Sequence, residues 1–392
     1  MSNVLTINAG SSSIRFAFFS IKLRPQRLLD GKIERIGTRE ASLSAGLVGE
    51  AAQPVRVDAV DPRGAIEALL HWLGAQASFS IPDAIGHRVV HGMLRTAPAR
   101  VTPALLAELK GIAPYDPEHL PREIELIDAL QQQFANVPQV VCFDTAFHRT
   151  MPDVASQLPI PRRYAAQGVQ RYGFHGLSYT YLMQELARLA DPAAARGRVI
   201  LAHLGNGASL AAVLDGRSID TSMGFTPSSG LVMGTRSGDL DPGLMSYLAL
   251  TQAMSAAQFQ RMVNHESGLI GLSESSADVR DLLEREGEDA RARDALALFC
   301  YQAKKWIGSF AAALGGVDTL VFAGGIGENA ALIRLRICRG LQFLGIQIDE
   351  ALNRDNAARI SAANSPVTVR VIRTDEEAVI AEQSARLLGL IK

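Results

Sequence analysis

The 392-residue chain is poor in cysteine, in aromatic residues and in surplus charge, and each shortage removes a class of protein. Cys142, Cys300 and Cys338 have no C-x-x-C spacing and cannot all pair with one another, so a disulfide scaffold and a zinc ribbon are excluded. The 39 Lys plus Arg nearly balance 40 Asp plus Glu, giving a net charge of −1. No overall field therefore draws the chain to nucleic acid or to an anionic membrane. The longest apolar run, 310–322, is broken by Gly315, Gly316 and Asp318, too short to span a bilayer. No basic n-region and apolar h-region precede residues 4–7, and a cytoplasmic protein is expected. Three motifs are also missing: the P-loop G-x-x-x-x-G-K-[ST], an early G-x-G-x-x-G opening a helix, and the serine-hydrolase G-x-S-x-G.

What is present is apolar material in alternating patterns. With 47% hydrophobic and 20% charged residues the chain builds large cores. Short β-branched runs predict strands at 4–7, 14–19, 85–90, 139–143, 199–203, 210–214, 320–322 and 367–372. Longer amphipathic runs predict helices over 63–74, 102–111, 122–135, 180–190, 241–250, 256–265, 290–314 and 376–388, the seventh ending at Gly315-Gly316. Prolines 152, 159 and 161 follow the fourth strand and suggest a domain boundary near residue 150. The fold class is α/β.

One long-range echo stands out. Residues 4–8 lead through Ala9-Gly10-Ser11-Ser12-Ser13 into an apolar strand, and residues 199–203 lead through Gly205-Asn206-Gly207-Ala208-Ser209 into another. Both read as hairpins with turns of residues that tolerate positive φ, roughly 195 residues apart, which implies a duplicated domain. Small turn residues bring backbone N–H groups close to phosphate oxygens, and the Ser11 and Ser13 hydroxyls add donors. A third such loop, Gly324-Gly325-Ile326-Gly327-Glu328-Asn329, lies between a strand and a helical run. Three Gly-rich turns after strands point to a nucleotide. His87 and His91 lie four apart in a strand-like run with no third ligand, which argues against a metal there.

Seven blocks resemble the acetate kinase family, in that family's order and across residues 3–385. They are Asn8-Ala9-Gly10-Ser11-Ser12-Ser13, Gly86-His87-Arg88-Val89-Val90-His91-Gly92, Phe143-Asp144-Thr145-Ala146-Phe147-His148, Tyr172-Gly173-Phe174-His175-Gly176, His203-Leu204-Gly205-Asn206-Gly207-Ala208-Ser209, Met233-Gly234-Thr235-Arg236-Ser237-Gly238-Asp239 and Gly325-Ile326-Gly327-Glu328-Asn329. The resemblance implies two duplicated actin-like (ribonuclease H-like) domains with an interdomain nucleotide cleft. It implies an N-terminal domain of 1–149 plus a returning helix at 377–392, and a nucleotide-binding domain of 150–376. The implied activity is reversible, Mg²⁺-dependent transfer of the ATP γ-phosphoryl group to acetate, with Mn²⁺ as an alternative metal and a homodimer as the assembly.

The resemblance also assigns roles. Arg88 takes the carboxylate and Arg236 the transition state, where guanidinium geometry suits an oxyanion. Asp144 orients groups or a metal's waters, because a carboxylate nucleophile has no proton to lose at pH 7. His175 hydrogen-bonds the transferring phosphoryl, and Asn8 and Glu376 hold the metal, with Glu377 adjacent. Arg88, Val90, Phe174 and Pro227 form a carboxylate-and-methyl pocket. Ser11, Ser13, Arg15, His203, Leu204, Gly205, Asn206, Gly207, Asp278, Val279, Arg280, Gly325, Ile326, Gly327, Glu328 and Asn329 meet ATP.

Four departures from the family pattern bear on selectivity. Arg15 replaces the usual lysine, Met93 a glycine, and Leu177-Ser178-Tyr179 a Thr-Ser-His. The segment Ala113-Pro114-Tyr115-Asp116-Pro117-Glu118-His119-Leu120 replaces Leu-His-Asn-Pro-Pro-Asn, with Tyr115 at the leucine position. A propionate or butyrate kinase stays open, since one methylene discriminates by only about 1–3 kcal/mol. So does a non-enzymatic ATP-dependent regulator on the same fold.

Overall fold

The computed structural model describes residues 2–10, 13–50, 52–189 and 194–391. The chain forms two compact units, Met1–Ala146 with Asp375–Lys392 and Phe147–Thr374.

In the first unit the strands are β1 (Ser2–Ala9), β2 (Ile14–Ile21), β3 (Pro25–Glu34), β4 (Ser42–Leu47), β5 (Val55–Arg56), β6 (Ala84–Val89), β7 (Ala99–Arg100) and β8 (Gln139–Phe143). They form one sheet in the order β5-β4-β3-β2-β1-β6-β8-β7. Period-two alternation sorts β1 between two layers. Leu5 and Ile7, with Phe16 and Phe18, pack on Ile66, Leu69 and Leu73 of helix Pro62–Gly74 and on Leu126 and Leu130 of helix Leu120–Gln133. Val4, with Phe19 and Ala84, packs on Ala381 and Ala385 of the closing helix Glu376–Leu387. Burial of each large side chain contributes about 1.5–3 kcal/mol. Gly86 lets the closing helix come close, because a Cβ there would lie 2.4 Å from Ser384 Oγ and 2.6 Å from Ile380 Cγ2. That approach sets the helix's first turn, with Glu376 and Glu377, beside Asn8 at the end of β1.

The second unit has β9 (Arg198–Leu204), β10 (Ala208–Leu214), β11 (Arg217–Thr221), β12 (Thr319–Ala323) and β13 (Thr368–Val371), in the order β11-β10-β9-β12-β13. Tyr179, Leu182 and Leu186 of helix Gly176–Leu189 pack on Val199, Leu201, Val213 and Val321. The long helix Ala290–Leu314 buries Phe299, Ile307 and Phe310 and packs against β9, β10 and β11. It stops at Gly315, left-handed at φ +69°, as the Gly-Gly pair predicts.

The duplication is explicit in the pairing. β3-β2-β1-β6-β8 and β11-β10-β9-β12-β13 share one pattern: the first and second strands pair antiparallel, and the fourth and fifth run parallel to the first. Both predicted hairpins are present, β1–β2 and β9–β10.

Two expectations need correction. The sequence pattern missed β3, β4, β5, β7 and β11. β3 shows why: only Leu29 and Ile33 of its ten residues are buried, so it has no clean alternation to read. The described glycines of the hairpin turns, secondly, do not adopt positive φ. Gly10, Gly205 and Gly207 are absent from the left-handed residues, and their use is clearance for neighbouring groups. Ser11 and the expected helix end at Ala190 lie outside the described residues. The three cysteines are unbridged and buried. No helix among the described residues is long and apolar enough to cross a membrane.

Candidate active site

In the first unit, Arg88 on β6 carries its guanidinium into an acidic cluster. Its Nη2 donates to Asp144 Oδ2 at 2.9 Å and its Nη1 to the Ala9 carbonyl at 2.9 Å, with Glu123 Oε1 3.9 Å away. Asp144 is fully buried just after β8 and ties back through its amide to the Val89 carbonyl. Burial pushes the Arg88 pKa down, but Asp144, Glu376 and Glu123 outweigh it and hold the guanidinium firmly charged. The Arg88 Nε is buried with no hydrogen-bond partner.

Asn8 faces the same cluster. Its Nδ2 donates to Glu376 Oε2 at 2.8 Å and to Glu377 Oε1 at 3.0 Å, so both neighbouring glutamates reach it. Burial raises the pKa of both; Asp144 adds to the rise at Glu376, while Arg88, Asn8 and Arg15 oppose it. Arg15 is exposed on β2, directly opposite Asn8. Ser13 closes the adjoining turn by accepting the Gly10 amide at its carbonyl. Among the described residues no group of three or more His, Cys, Asp or Glu is gathered as a metal cage. The Glu376 carboxylate, which accepts from the Asn8 amide nitrogen, and the Asn8 amide oxygen nevertheless supply donor types that suit Mg²⁺, which binds through one or two protein oxygens and keeps several waters. His87 is occupied elsewhere: its Nε2 donates to Gln139 Oε1 at 2.7 Å, and burial lowers its pKa to about 4.

In the second unit three segments converge on the β9–β10 turn. His175 sits in the left-handed region at φ +60°, and its ring stacks on His203 at a centroid distance of 4.3 Å. Its Nδ1 bonds Ser209 Oγ at 2.8 Å, and Ser209 in turn meets the Tyr179 hydroxyl. His203 Nδ1 bonds Ser178 Oγ, which also meets Thr374 Oγ1. Both rings are thereby fixed through Nδ1. Gly207 lies against His175 and Arg236: a Cβ on it would be 3.4 Å from His175 Nε2 and 3.6 Å from Arg236 Nη1. Arg236 Nη1 donates to the Pro227 carbonyl at 3.2 Å. Its loop is laced to the turn by the Gly234 amide, which donates to the Asn206 carbonyl. A Cβ on Gly234 would run into the Asn206 side chain and lie 3.3 Å from the Ala277 carbonyl, which brings the 278–280 segment alongside.

The segment after β12, expected as a loop, is instead a short helix, Gly324–Asn329, and it completes this unit's group. A Cβ on Gly205 would be 3.9 Å from the Gly325 amide, and Gly325 is itself open and exposed. Glu328 turns its Oε1 to the amides of Gly324 and Thr374, so its carboxylate shapes the segment. Asn329 likewise bonds the Gly325 carbonyl. Leu204 and Val279 are buried. Asp278 accepts the Arg280 amide and pairs with its guanidinium, whose hydrogen bond lowers the aspartate's pKa. Val90 and Phe174 are each 1% exposed, fully packed in their own units.

Sequence reasoning gave no role to Glu123, Ser178, Tyr179, Ser209 and Arg334. Arg334 is fully buried and donates to the Gly327 and Glu328 carbonyls from below the segment. A signal existed for Glu123 and Arg334, since each charge falls at helical spacing on an apolar stripe, Leu120-Ile124-Ile127 and Ile333-Ile337. Ser209 stood inside a quoted motif without a role.

Residues 3–382 match the acetokinase family. The chain belongs to that family. It is 43% identical to the acetate kinase of Rhodopseudomonas palustris over 399 aligned residues, covering 99% of each chain. It superposes on the acetate kinase of Porphyromonas gingivalis with a TM-score of 0.88 at 35% identity, over 99% of this chain and 100% of that one. A propionate kinase from Francisella tularensis gives 0.92 at 36% identity, over 98% and 100%.

Within the acetokinase pattern the departures acquire physical content. Met93, where the family has glycine, sits at φ +50°, a conformation that costs an L-residue about 1–2 kcal/mol. Tyr179, where the family has histidine, is fully buried on Ser209 and thus props the His175 partner. Tyr115 packs its ring on buried His91 at 5.5 Å, next to Val90.

The Ser209 contact yields a test. Ser209→Ala should lower kcat by about 10- to 100-fold with little change in the KM for ATP, because it unfixes the His175 ring without touching Arg236. Steady-state kinetics check this; an unchanged kcat would remove Ser209 from the orienting role.

Proposed function

We infer that the chain transfers the ATP γ-phosphoryl group reversibly to acetate, giving acetyl phosphate and ADP. The reading is carried by full-length acetokinase membership together with the retention of Arg88, Asp144, His175 and Arg236.

An acetate oxygen attacks the γ-phosphorus as the bond to the β,γ-bridging oxygen breaks, and the electron pair leaves with ADP. No proton has to move, so the demand is for positive charge and fixed donors around an anion attacking an anion. Arg88 pairs with the carboxylate and is kept charged and in place by Asp144. Arg236 neutralises the in-flight group, and His175, fixed at Nδ1 by Ser209, offers Nε2 on the same side of Gly207. The backbone of 203–207, 278–280 and 325–329 receives ATP. Asn8 and Glu376 would hold Mg²⁺, or Mn²⁺ in its place, with Asp144 near its waters; when bound, the ion shields the phosphate charges. A cytoplasmic setting suits the unbridged cysteines.

A longer acid is the second reading, favoured by the likeness to a propionate kinase. The larger Tyr115, packed on His91 one residue past Val90, favours acetate.

Trapping the product with hydroxylamine tests the reaction. The protein with MgATP and acetate should form acetyl hydroxamate; ATP binding with no acyl phosphate from any short carboxylate would sink the kinase reading. In the same assay Arg236→Ala should cut kcat at least about 10³-fold. Arg88→Ala should raise the KM for acetate far more than that for ATP, and equal effects would contradict its role.

The expected homodimer has a candidate face in helix Gly243–Gln252, which buries no residue and exposes Tyr247 and Leu250. Light scattering should report twice the 42.1 kDa chain mass, and a monomer at assay concentration would refute the assembly.

A further inference from the structure

Glu123 lies on helix Leu120–Gln133, outside every motif of the reaction, yet it is 2% exposed and turned toward Arg88. Its Oε2 accepts the Val90 amide at 2.9 Å, so it fixes the chain just past β6, between the carboxylate-binding arginine and the acyl-pocket valine. Its other oxygen, Oε1, is buried without a hydrogen-bond partner, 3.9 Å from Arg88 Nη1. Arg88 Nε is orphaned in the same cluster. Two buried polar atoms on facing side chains, one a donor and one on a carboxyl group, are unusual in a finished core and suit a small polar ligand.

We propose that Glu123 is a positioning residue for carboxylate binding, holding the 88–90 segment through the Val90 amide and presenting Oε1 to the substrate's carboxylate beside Arg88. The proposal rests on the reading that Arg88 takes the carboxylate. Presenting a carboxyl group to a carboxylate works only if it carries its proton, and the surroundings favour that. Burial raises the Glu123 pKa to about 8, against Arg88 and the Val90 amide, with Asp116 and Asp144 adding to the rise. The groups facing it are Arg88 on β6, Asp116 and His119 in the preceding turn, and Asp144 after β8; Glu376 acts on Arg88 from the closing helix. Protonated Glu123 donates from Oε1 and leaves the Arg88 charge for the substrate. Above its pKa it adds a negative charge where another must bind.

The test is KM for acetate and for ATP, with kcat, on either side of about pH 8. In the unaltered enzyme the acetate KM should rise above that pH while the ATP KM stays level. Glu123→Gln keeps an acceptor for Val90 and a donor for the substrate, so its acetate KM should match below pH 8 and lose the rise. Glu123→Ala should raise the acetate KM about tenfold at all pH values, because it orphans the Val90 amide. Should the alanine variant not fold, the glutamine variant decides alone. A glutamine variant that keeps the rise, or an enzyme with no rise, overturns the proposal. Arg88→Ala separates the layers: if it leaves the acetate KM unmoved, the carboxylate reading itself fails. If it raises that KM while Glu123→Gln keeps the rise, only the role of Glu123 fails.

Discussion

Arg88 carries a full charge into a place where burial penalises it, and Asp144 and Glu376 hold it there with Glu123 packed 3.9 Å away. Each of these comes from a different element: the end of β8, the closing helix and helix Leu120–Gln133. The cluster therefore forms only when the first unit's sheet and both flanking helices are in register. Gly86 has a structural share in the chemistry for the same reason, since its missing Cβ lets the closing helix sit where Glu376 reaches Asn8. Removing one partner of such a buried pair leaves an uncompensated charge, which costs far more than the pair gains over an apolar substitute.

The second unit solves a different problem: packing three backbone segments closely together around the β9–β10 turn. Its glycines provide clearance. Gly207 makes room for His175 and Arg236, Gly234 for Asn206, and Gly205 for the segment at Gly325. The rings are then fixed by hydroxyl groups, Ser209 and Tyr179 for His175 and Ser178 for His203. The strained backbone at His175 is of the kind that survives where the surroundings over-determine it.

Much of this was legible in the sequence. Central strands such as β1, β9 and β12 are buried nearly throughout and read as apolar runs, and the two hairpins carried the duplication. Helix Ala290–Leu314 announced its end at Gly315, while its Asp289 cap emerged only in the structure. The peripheral strands β3, β4 and β5 were not legible, because half-exposed strands with Gly and charged residues have no binary pattern. Residues assigned to the reacting groups stood out, since phosphoryl transfer restricts the side chains that can serve it. Those packed behind them, such as Glu123, Ser209 and Arg334, became visible only when the fold brought distant segments together.

On the proposed reading Arg88 anchors a short carboxylate, with Val90 buried nearby on the same segment and Tyr115 packed on His91 where the family has a smaller leucine. The most direct test is kcat/KM for acetate, propionate and butyrate with MgATP, with the product trapped as hydroxamate. The account predicts that acetate is preferred and that efficiency falls with each added methylene. A preference for propionate or butyrate would contradict it and would mean that the 113–120 segment enlarges the pocket.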